Sequence, residues 1–168
     1  IGAQSSADIG FANLAPPQSE SNVFHVDPNG ADNVAGTVDD GSDDNAGTKD
    51  RPWKTIAKAA KTLTQGQVAY VHGGTYYERI TTINRGYSSA PIWLMEAPGE
   101  SAVIKGTGTS TAPFVRITQP YWIVDGFEIN ANGAFAHAVR FDGTNHAVAR
   151  NIDAHNGKGN AAVVFDKT

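Results

Sequence analysis

The sequence predicts an all-β protein whose short strands wind into a parallel solenoid. Glycine and proline supply 18 and 8 of the 168 residues and only 18% of the residues are charged, which favours strands and turns over long helices. Apolar segments that begin at Phe114, Ala138 and Ala162 recur at an offset of 24 residues, and a second series relates Ile123 to Val148 at an offset of 25. A repeat of this length, with several strands and no helix, is typical of one coil of a parallel β-helix, in which equivalent side chains stack about 4.8 Å apart. A β-sandwich is the alternative, but its hairpins do not require like residues at a constant offset.

The N-terminal third contains the elements that do not repeat. Residues 1–22 are mostly small and polar, with scattered apolar residues, and predict a flexible tail or a docking strand. Residues 23–168 predict the solenoid, which opens with a strand at 23–26. A helix is predicted over about 52–63, because Asp50 can act as its N-cap, Pro52 suits a first turn and apolar residues follow at helical spacing.

From residue 68 to the C terminus, the sequence predicts only strands and turns. The predicted strands cover residues 68–71, 76–83, 91–97, 102–105, 114–117, 121–129, 138–141, 146–154 and 161–165. Glycine-containing clusters such as Gly73-Gly74 separate them. No capping element follows the last strand, which predicts either that the protein continues or that another molecule covers this end, for example by end-to-end self-association.

Charge and composition exclude several functional classes. The net charge of -4 is unevenly distributed, because residues 27–50 form an acidic segment that contains seven aspartates and one lysine. The rest of the chain is only mildly basic, which argues against a nucleic-acid-binding module. No apolar run is long enough for a membrane span, there is no cysteine, and the five histidines include no closely spaced pair typical of a zinc site.

Several motifs, in a characteristic order, resemble a known superfamily. They are FHVDPNG at 24–30, RPWKTIAKA at 51–59, AYVHGGTYYE at 69–78, APIWL at 90–94 and YWIVDGFEI at 121–129. Together they resemble the N-terminal part of secreted right-handed parallel β-helix proteins of the pectate-lyase-like superfamily. The resemblance implies a right-handed solenoid, an N-terminal end capped by the helix at 52–63, and a secreted or cell-surface location. It also implies action on a polysaccharide, with catalytic bases and calcium ligands that typically lie on middle coils.

Arginines at equivalent positions of two coils are the first candidate site. Arg116 and Arg140 are 24 residues apart, so their side chains are expected to stack outward as a basic ladder. Guanidinium groups bind carboxylates with paired hydrogen bonds, which suits sugar carboxylates. In β-elimination of a uronate polymer, a basic group neutralises the carboxylate or removes a proton, and both arginines are therefore candidate catalytic residues. The alternative is that they are ordinary solvated residues on an outward face.

A second candidate set lies on the neighbouring repeat. Glu128 and Asp153 are equivalent at an offset of 25, as are Asn130 and His155. The two carboxylates are predicted to bind substrate or a cation, or to act as a retaining glycosidase pair, and His155 is a candidate proton carrier. Trp122 is predicted to offer a stacking surface for a sugar ring. Outward polar ladders are also ordinary in solenoids, so a purely structural role is the alternative.

The acidic segment is the candidate metal site. It concentrates the carboxylates of Asp39, Asp40, Asp43 and Asp44 around one glycine, and Ca²⁺ prefers such oxygen ligands. The spacing does not match an EF-hand loop, so a solvated surface loop is the alternative.

These observations predict an extracellular protein that acts on polysaccharide. Lyase chemistry on a uronate-containing polymer comes first, because of the resemblance, and glycoside hydrolase chemistry second. The alternative is a non-catalytic structural or adhesive module that stacks end to end, as a filament subunit whose N-terminal tail donates a strand.

Overall fold

A computed structural model describes residues 10–30, 35–37, 40–106, 111–134, 137–158 and 162–166. Within them, short strands form three sheets, and every strand pairs with its neighbours in parallel. Sheet 1 contains, in spatial order, β1 (Val23–Val26), β2 (Val68–Val71), β5 (Ile92–Glu96), β8 (Trp122–Asp125) and β11 (Val148–Arg150). Sheet 2 contains β4 (Ile80–Thr81), β7 (Val115–Ile117), β10 (Val139–Asp142) and β13 (Val163–Asp166). Sheet 3 contains β3 (Gly74–Tyr76), β6 (Ala102–Lys105), β9 (Glu128–Asn130) and β12 (Asp153–His155).

The chain visits the three sheets in turn, and each circuit is one coil of a parallel β-helix. Val115, Val139 and Val163 pair with one another along sheet 2, in the register that the 24-residue offset predicts. Ile123 pairs with Val148 along sheet 1, in the register of the 25-residue series. The predicted all-β fold and its stacking are therefore confirmed.

Two predicted long strands are each divided by a corner. The segment 121–129 forms β8 and β9, which Gly126 separates with a φ of 95°. The segment 146–154 forms β11 and β12, with Asn151 at a φ of 51° at the equivalent corner. The left-handed backbone, which glycine and asparagine tolerate best, turns the chain from sheet 1 into sheet 3. The prediction of single strands was wrong because period-two apolar residues continue through the corner.

A helix, α1 (Ile56–Thr62), lies beside β1 and β4. It buries Ile56, Ala59 and Ala60 in the same core as the inward residues of the coils. It begins later than predicted, because Thr55 rather than Asp50 is the N-cap and accepts the backbone N–H of Lys58 at 3.0 Å. Trp53, two residues before this N-cap, forms a parallel bridge with Val26 of β1 instead. In the part of the chain that the structure describes, no helix is long and apolar enough to cross a membrane.

The described part of the N-terminal segment packs against the outside of sheet 1. It forms two 3₁₀ turns, Phe11–Asn13 and Glu20–Asn22, rather than a strand. Phe11 is buried in a second apolar cluster together with Val68, Trp93 and Ile123. The division of the chain into a tail and a solenoid at residue 22 stays a prediction.

Candidate functional site

The outward face of sheet 2 forms the floor of a groove of about 490 Å³. Its lining consists of Arg79, Thr81, Thr111, Ala112, Pro113, Arg116 and Arg140. Arg116 lies on β7 and pairs in register with Arg140 on β10. Both strands alternate inward apolar residues with an outward arginine, so the pleat directs the guanidinium groups away from the core. The predicted stacking of the two arginines is confirmed, and their catalytic role stays a prediction.

Aspartates from the next strands hold these arginines in place. The Arg116 guanidinium donates to the carboxylate of Asp142, and Arg140 donates to Asp166. Arg140 also lies 3.8 Å from the second Asp142 oxygen, so the four side chains form one network without net charge. The Nε of Arg140 is buried and has no hydrogen-bond partner among the described residues. The two arginines are therefore fixed in orientation, but they are not freely available bases.

Arg79 is a groove residue that the sequence analysis missed. Its guanidinium lies 4.5 Å from the centre of the Phe114 ring and donates to the carbonyl of Ala112. Partial burial lowers the pKa of Arg79, but an arginine keeps its charge in proteins. Arg79 thus adds a third guanidinium group to the lining of the groove. Arg79 lies before a strand of only two residues, and no repeat links it to the other arginines.

The second predicted set lies on sheet 3, on a different face of the solenoid. Glu128 pairs in register with Asp153, and Asn130 with His155, as the offset predicts. The contact that forms is diagonal, from His155 Nε2 to Glu128 Oε1 at 2.9 Å. This hydrogen bond, above all, raises the pKa of His155, and the charge of Asp153 adds to the effect. Glu128 is therefore engaged by a histidine rather than paired with a second carboxylate.

The predicted site residues therefore do not form one site. Arg116 and Arg140 face the sheet 2 groove, whereas Glu128, Asp153 and His155 belong to sheet 3. The structure does not bring His155 into the groove lining, where a proton carrier for bound sugar would have to lie.

The prediction that Trp122 stacks on a sugar was wrong. Its side chain is fully buried in the core of the solenoid. Its indole N–H donates to the carbonyl of Asn84 at 2.7 Å, which satisfies the polar atom of the ring inside the protein. Sequence alone could not separate the two roles, because tryptophan serves both.

The acidic segment is built into the entrance of α1. Both oxygens of Asp43 are engaged, Oδ1 by the backbone N–H groups of Lys54 and Thr55 and Oδ2 by the Thr55 hydroxyl at 2.7 Å. Asp40 accepts the backbone N–H of Gly36 at 2.8 Å, and Asp44 is exposed. Among the described residues, no three histidine, aspartate or glutamate side chains converge as a metal site requires. The described carboxylates thus do not fit a calcium site, and because Asp39 lies outside the described residues, calcium binding stays a prediction.

Comparisons with known proteins agree with this architecture. Residues 25–168 match the family described as Pel9A-like, right handed beta helix region. The chain is 44% identical over 98 residues to pectate lyase PEL9 of Emericella nidulans, covering 57% of this chain and 21% of that protein. It is 27% identical over 145 residues to the uncharacterized protein YwoF of Bacillus subtilis, covering 80% of this chain and 29% of that protein. The chain thus spans less than a third of the curated relatives that it matches.

A solved structure shows the same fold. A rhamnogalacturonan lyase superposes with a TM-score of 0.64 at 19% identity, over 83% of this chain and 37% of that one. With the family match over most of its length and parallel coils throughout the described residues, the chain belongs to the Pel9A-like right-handed β-helix family.

Proposed function

We propose that the protein is an extracellular polysaccharide lyase and that the sheet 2 groove of this chain binds the carboxylates of a uronate-containing polymer. The observation that carries the proposal is the set of three arginines from adjoining coils that line one groove. The similarity to a protein named as a pectate lyase supports a carboxylated polymer as the substrate class. An extracellular location follows from the proposal, because a long polysaccharide is encountered outside the cell.

The geometry suits binding along the solenoid axis. Arg116 and Arg140 form a column on neighbouring coils, whose strands lie about 4.8 Å apart. Arg79 lies beside this column on the preceding coil, two residues before Thr81, which is the register partner of Arg116. A polymer that lies along this column would meet one cationic group after another.

The proposal assigns binding rather than proton transfer to these arginines. In β-elimination a base accepts the C5 proton of a uronate, a double bond forms between C4 and C5, and the bond from C4 to the leaving oxygen breaks. A cation beside the carboxylate stabilises the charge that develops. Arg116 and Arg140 are cations, as arginines in proteins are, and their ion pairs with Asp142 and Asp166 fix their orientation, which suits this electrostatic role. A base needs a neutral nitrogen, which an arginine side chain does not offer in proteins.

The test is binding of polygalacturonate to variants of the full-length protein. Arg79→Gln and Arg140→Gln should each weaken binding by about fivefold or more, since an ionic contact to a carboxylate is worth about 1 kcal/mol. Lys105→Gln on sheet 3 is the matched control, because it removes the same charge from another face and should leave the affinity unchanged. Binding should also weaken with salt and be absent with a neutral glucan.

Activity is followed separately by the ultraviolet absorbance of the unsaturated product. If Arg79→Gln and Arg140→Gln fold, as circular dichroism would show, and bind polygalacturonate as the unmodified protein does, the groove is not the binding site. If binding depends on these arginines but no absorbance develops, the protein binds uronates without lyase activity. End-to-end self-association stays a separate prediction, for which light scattering of the full-length protein is the measurement.

A further inference from the structure

Three titratable side chains from three successive coils meet at the corner between sheets 1 and 3. His25 lies on β1, His72 directly follows β2, and Glu100 lies in the turn between β5 and β6. His25 Nδ1 lies 2.9 Å from His72 Nε2, and His72 Nδ1 lies 2.9 Å from Glu100 Oε1. The other Glu100 oxygen accepts the backbone N–H of Gly73 at 2.7 Å, which fixes the carboxylate. These contacts link each coil to the next through side chains.

The contact between the two histidines has the geometry of an in-line hydrogen bond. The ring centres are 5.2 Å apart and the ring planes are inclined by only 27°. With the facing nitrogens 2.9 Å apart, both nitrogens lie close to the line that joins the ring centres. A nitrogen lone pair of one ring thus points at the N–H of the other, as a hydrogen bond requires. A metal ion held by both nitrogens would instead lie off this line.

Only one of the two facing nitrogens, His25 Nδ1 or His72 Nε2, can carry a proton while this hydrogen bond exists. The ionised Glu100 can only accept a hydrogen bond, so it holds the proton of His72 on Nδ1. The single remaining bond then runs from His25 to His72 or in the reverse direction, and either way one facing nitrogen must be unprotonated. Charging both rings fully would place two N–H groups against each other and break the link.

The surroundings oppose a charge on His25. Burial, the neighbouring His72 and the cation of Lys49 lower its pKa to about 4, although Glu100 acts in the other direction. Tyr70 lies beside the His25 ring, with ring centres 6.1 Å apart. The other acid on this corner is Asp27, whose pKa is raised by its burial.

The remaining groups complete the electrostatic environment. Partial burial opposes the charge on Glu100, but the hydrogen bonds from the Gly73 amide and the His72 ring outweigh it and lower the pKa of this carboxyl. The buried Tyr76 donates its hydroxyl to the carbonyl of His72 at 2.8 Å, and burial raises its pKa far above the physiological range. Tyr76 therefore stays neutral and anchors the backbone of the second coil.

We infer that His25, His72 and Glu100 form an acid-sensitive link that holds the first coil of the solenoid to the next two at neutral pH and releases it in mild acid. The segment that would be released is β1, which also bridges to Trp53 at the entrance of α1. Release of β1 would loosen the N-terminal end of the solenoid while the later coils keep their packing.

The sign of the effect follows from the direction of the shift at His25. Its folded pKa of about 4 lies below the ordinary value of 6.5, so the folded state binds fewer protons between these values. The stabilisation that the neutral His25 contributes is complete above the ordinary pKa and is lost as the pH falls toward the folded pKa. Glu100 acts in the same direction but below its own ordinary value of 4.5, and Asp27 acts in the opposite direction. The contribution of His25 between pH 7 and pH 5 is therefore isolated with a variant that removes this side chain.

The test is hydrogen exchange of the full-length protein at pH 7 and pH 5, corrected for the pH dependence of chemical exchange. Protection of a peptide that covers β1 should fall by about tenfold between the two conditions, after allowance for the partial exposure of His25. A peptide that covers β10 is the internal control and should change little. In His25→Asn, which cannot titrate, the fall of protection in β1 should disappear.

The control variant is His146→Asn, which removes a histidine elsewhere in the chain and places asparagine at a left-handed φ of 53° that it tolerates. It should keep the full loss of protection in β1. The proposal is overturned if His25→Asn keeps this loss or if His146→Asn abolishes it. If His25→Asn does not fold, the unmodified protein decides: a parallel fall of protection in β1 and β10 refutes a local link, and a fall confined to β1 supports it.

Discussion

The outward faces of sheets 1 and 2 belong to the same coils, but the first is covered by another segment of the chain and the second is open. On sheet 1 the outward residues Val68, Trp93 and Ile123 are apolar, and Phe11 from the N-terminal segment covers them. On sheet 2 the outward strand residues that line the groove, Thr81, Arg116 and Arg140, are polar or charged, and this face is left open. Removing apolar surface from water stabilises the folded protein. Paired guanidinium and carboxylate groups, in contrast, keep their favourable hydration when they stay exposed to water.

A polar clamp completes the covering of sheet 1. Arg150 donates to the carbonyl of Ala12 at 2.9 Å and to Asp125 at 2.8 Å. Its guanidinium thus joins the N-terminal segment to the sheet, whereas the ion pairs of Arg140 among the described residues are with aspartates of its own sheet. A β-helix thus supplies equivalent faces, and the outward residues of each face decide whether it becomes a second core or an open groove.

The largest expected effect comes from uncovering sheet 1. Phe11→Ala should lower the free energy of unfolding by about 2 kcal/mol, because a buried phenylalanine side chain is lost from the apolar cluster. Urea denaturation of the full-length protein measures this. Leu14→Ala is the matched control in the same segment, since Leu14 is 41% exposed and Phe11 only 4%. The affinity for polygalacturonate should not change, and equal destabilisation by both variants would contradict the role given to Phe11.

Inward positions were predictable from the sequence because burial has a period of two and equivalent residues recur at a constant offset. Val115, Val139 and Ile117 illustrate this, since the repeat alone gave their register. The stacking of Arg116 on Arg140 followed from the same rule. Asp142 and Asp166 also recur at this offset, so the repeat could have indicated the ion pairs.

Contacts that depend on long side chains or irregular segments were not predictable. Arg116 binds the aspartate of the next coil diagonally, and His155 reaches Glu128 rather than its own register partner. His25 and His72 are separated by an acidic segment and a helix, so no constant offset relates them. Trp122 was misplaced because tryptophan suits both a core and a sugar-binding surface.

A smaller effect should follow from changing the charge balance on sheet 2. Asp142→Asn removes the carboxylate that lies between Arg116 and Arg140, so the groove gains one net positive charge. The affinity for polygalacturonate should rise by about fivefold, which corresponds to about 1 kcal/mol for one such interaction. Calorimetry at low salt measures it, and the gain should shrink as salt is added.

The control for this variant lies on sheet 1. Asp125→Asn removes the same charge from the carboxylate that Arg150 binds, away from the groove, and should leave the affinity unchanged. A decrease of affinity in Asp142→Asn would show that the arginines need the aspartate for their orientation more than the groove needs the added charge.

The smallest effect concerns sheet 3, whose outward face carries neither a covering segment of the kind seen on sheet 1 nor the arginine column of sheet 2 in the described residues. Glu128→Gln should move the pKa of His155 back toward its ordinary value of 6.5, because the hydrogen bond from Glu128 is the main cause of the raised pKa. Since the folded pKa is raised, the pair stabilises the protein below the ordinary value, and this contribution is lost as the pH rises through the folded value. The imidazole signals of His155 in an NMR titration measure the shift. Asp153→Asn should shift the titration less, and an unchanged midpoint in Glu128→Gln would show that the diagonal contact does not form in solution.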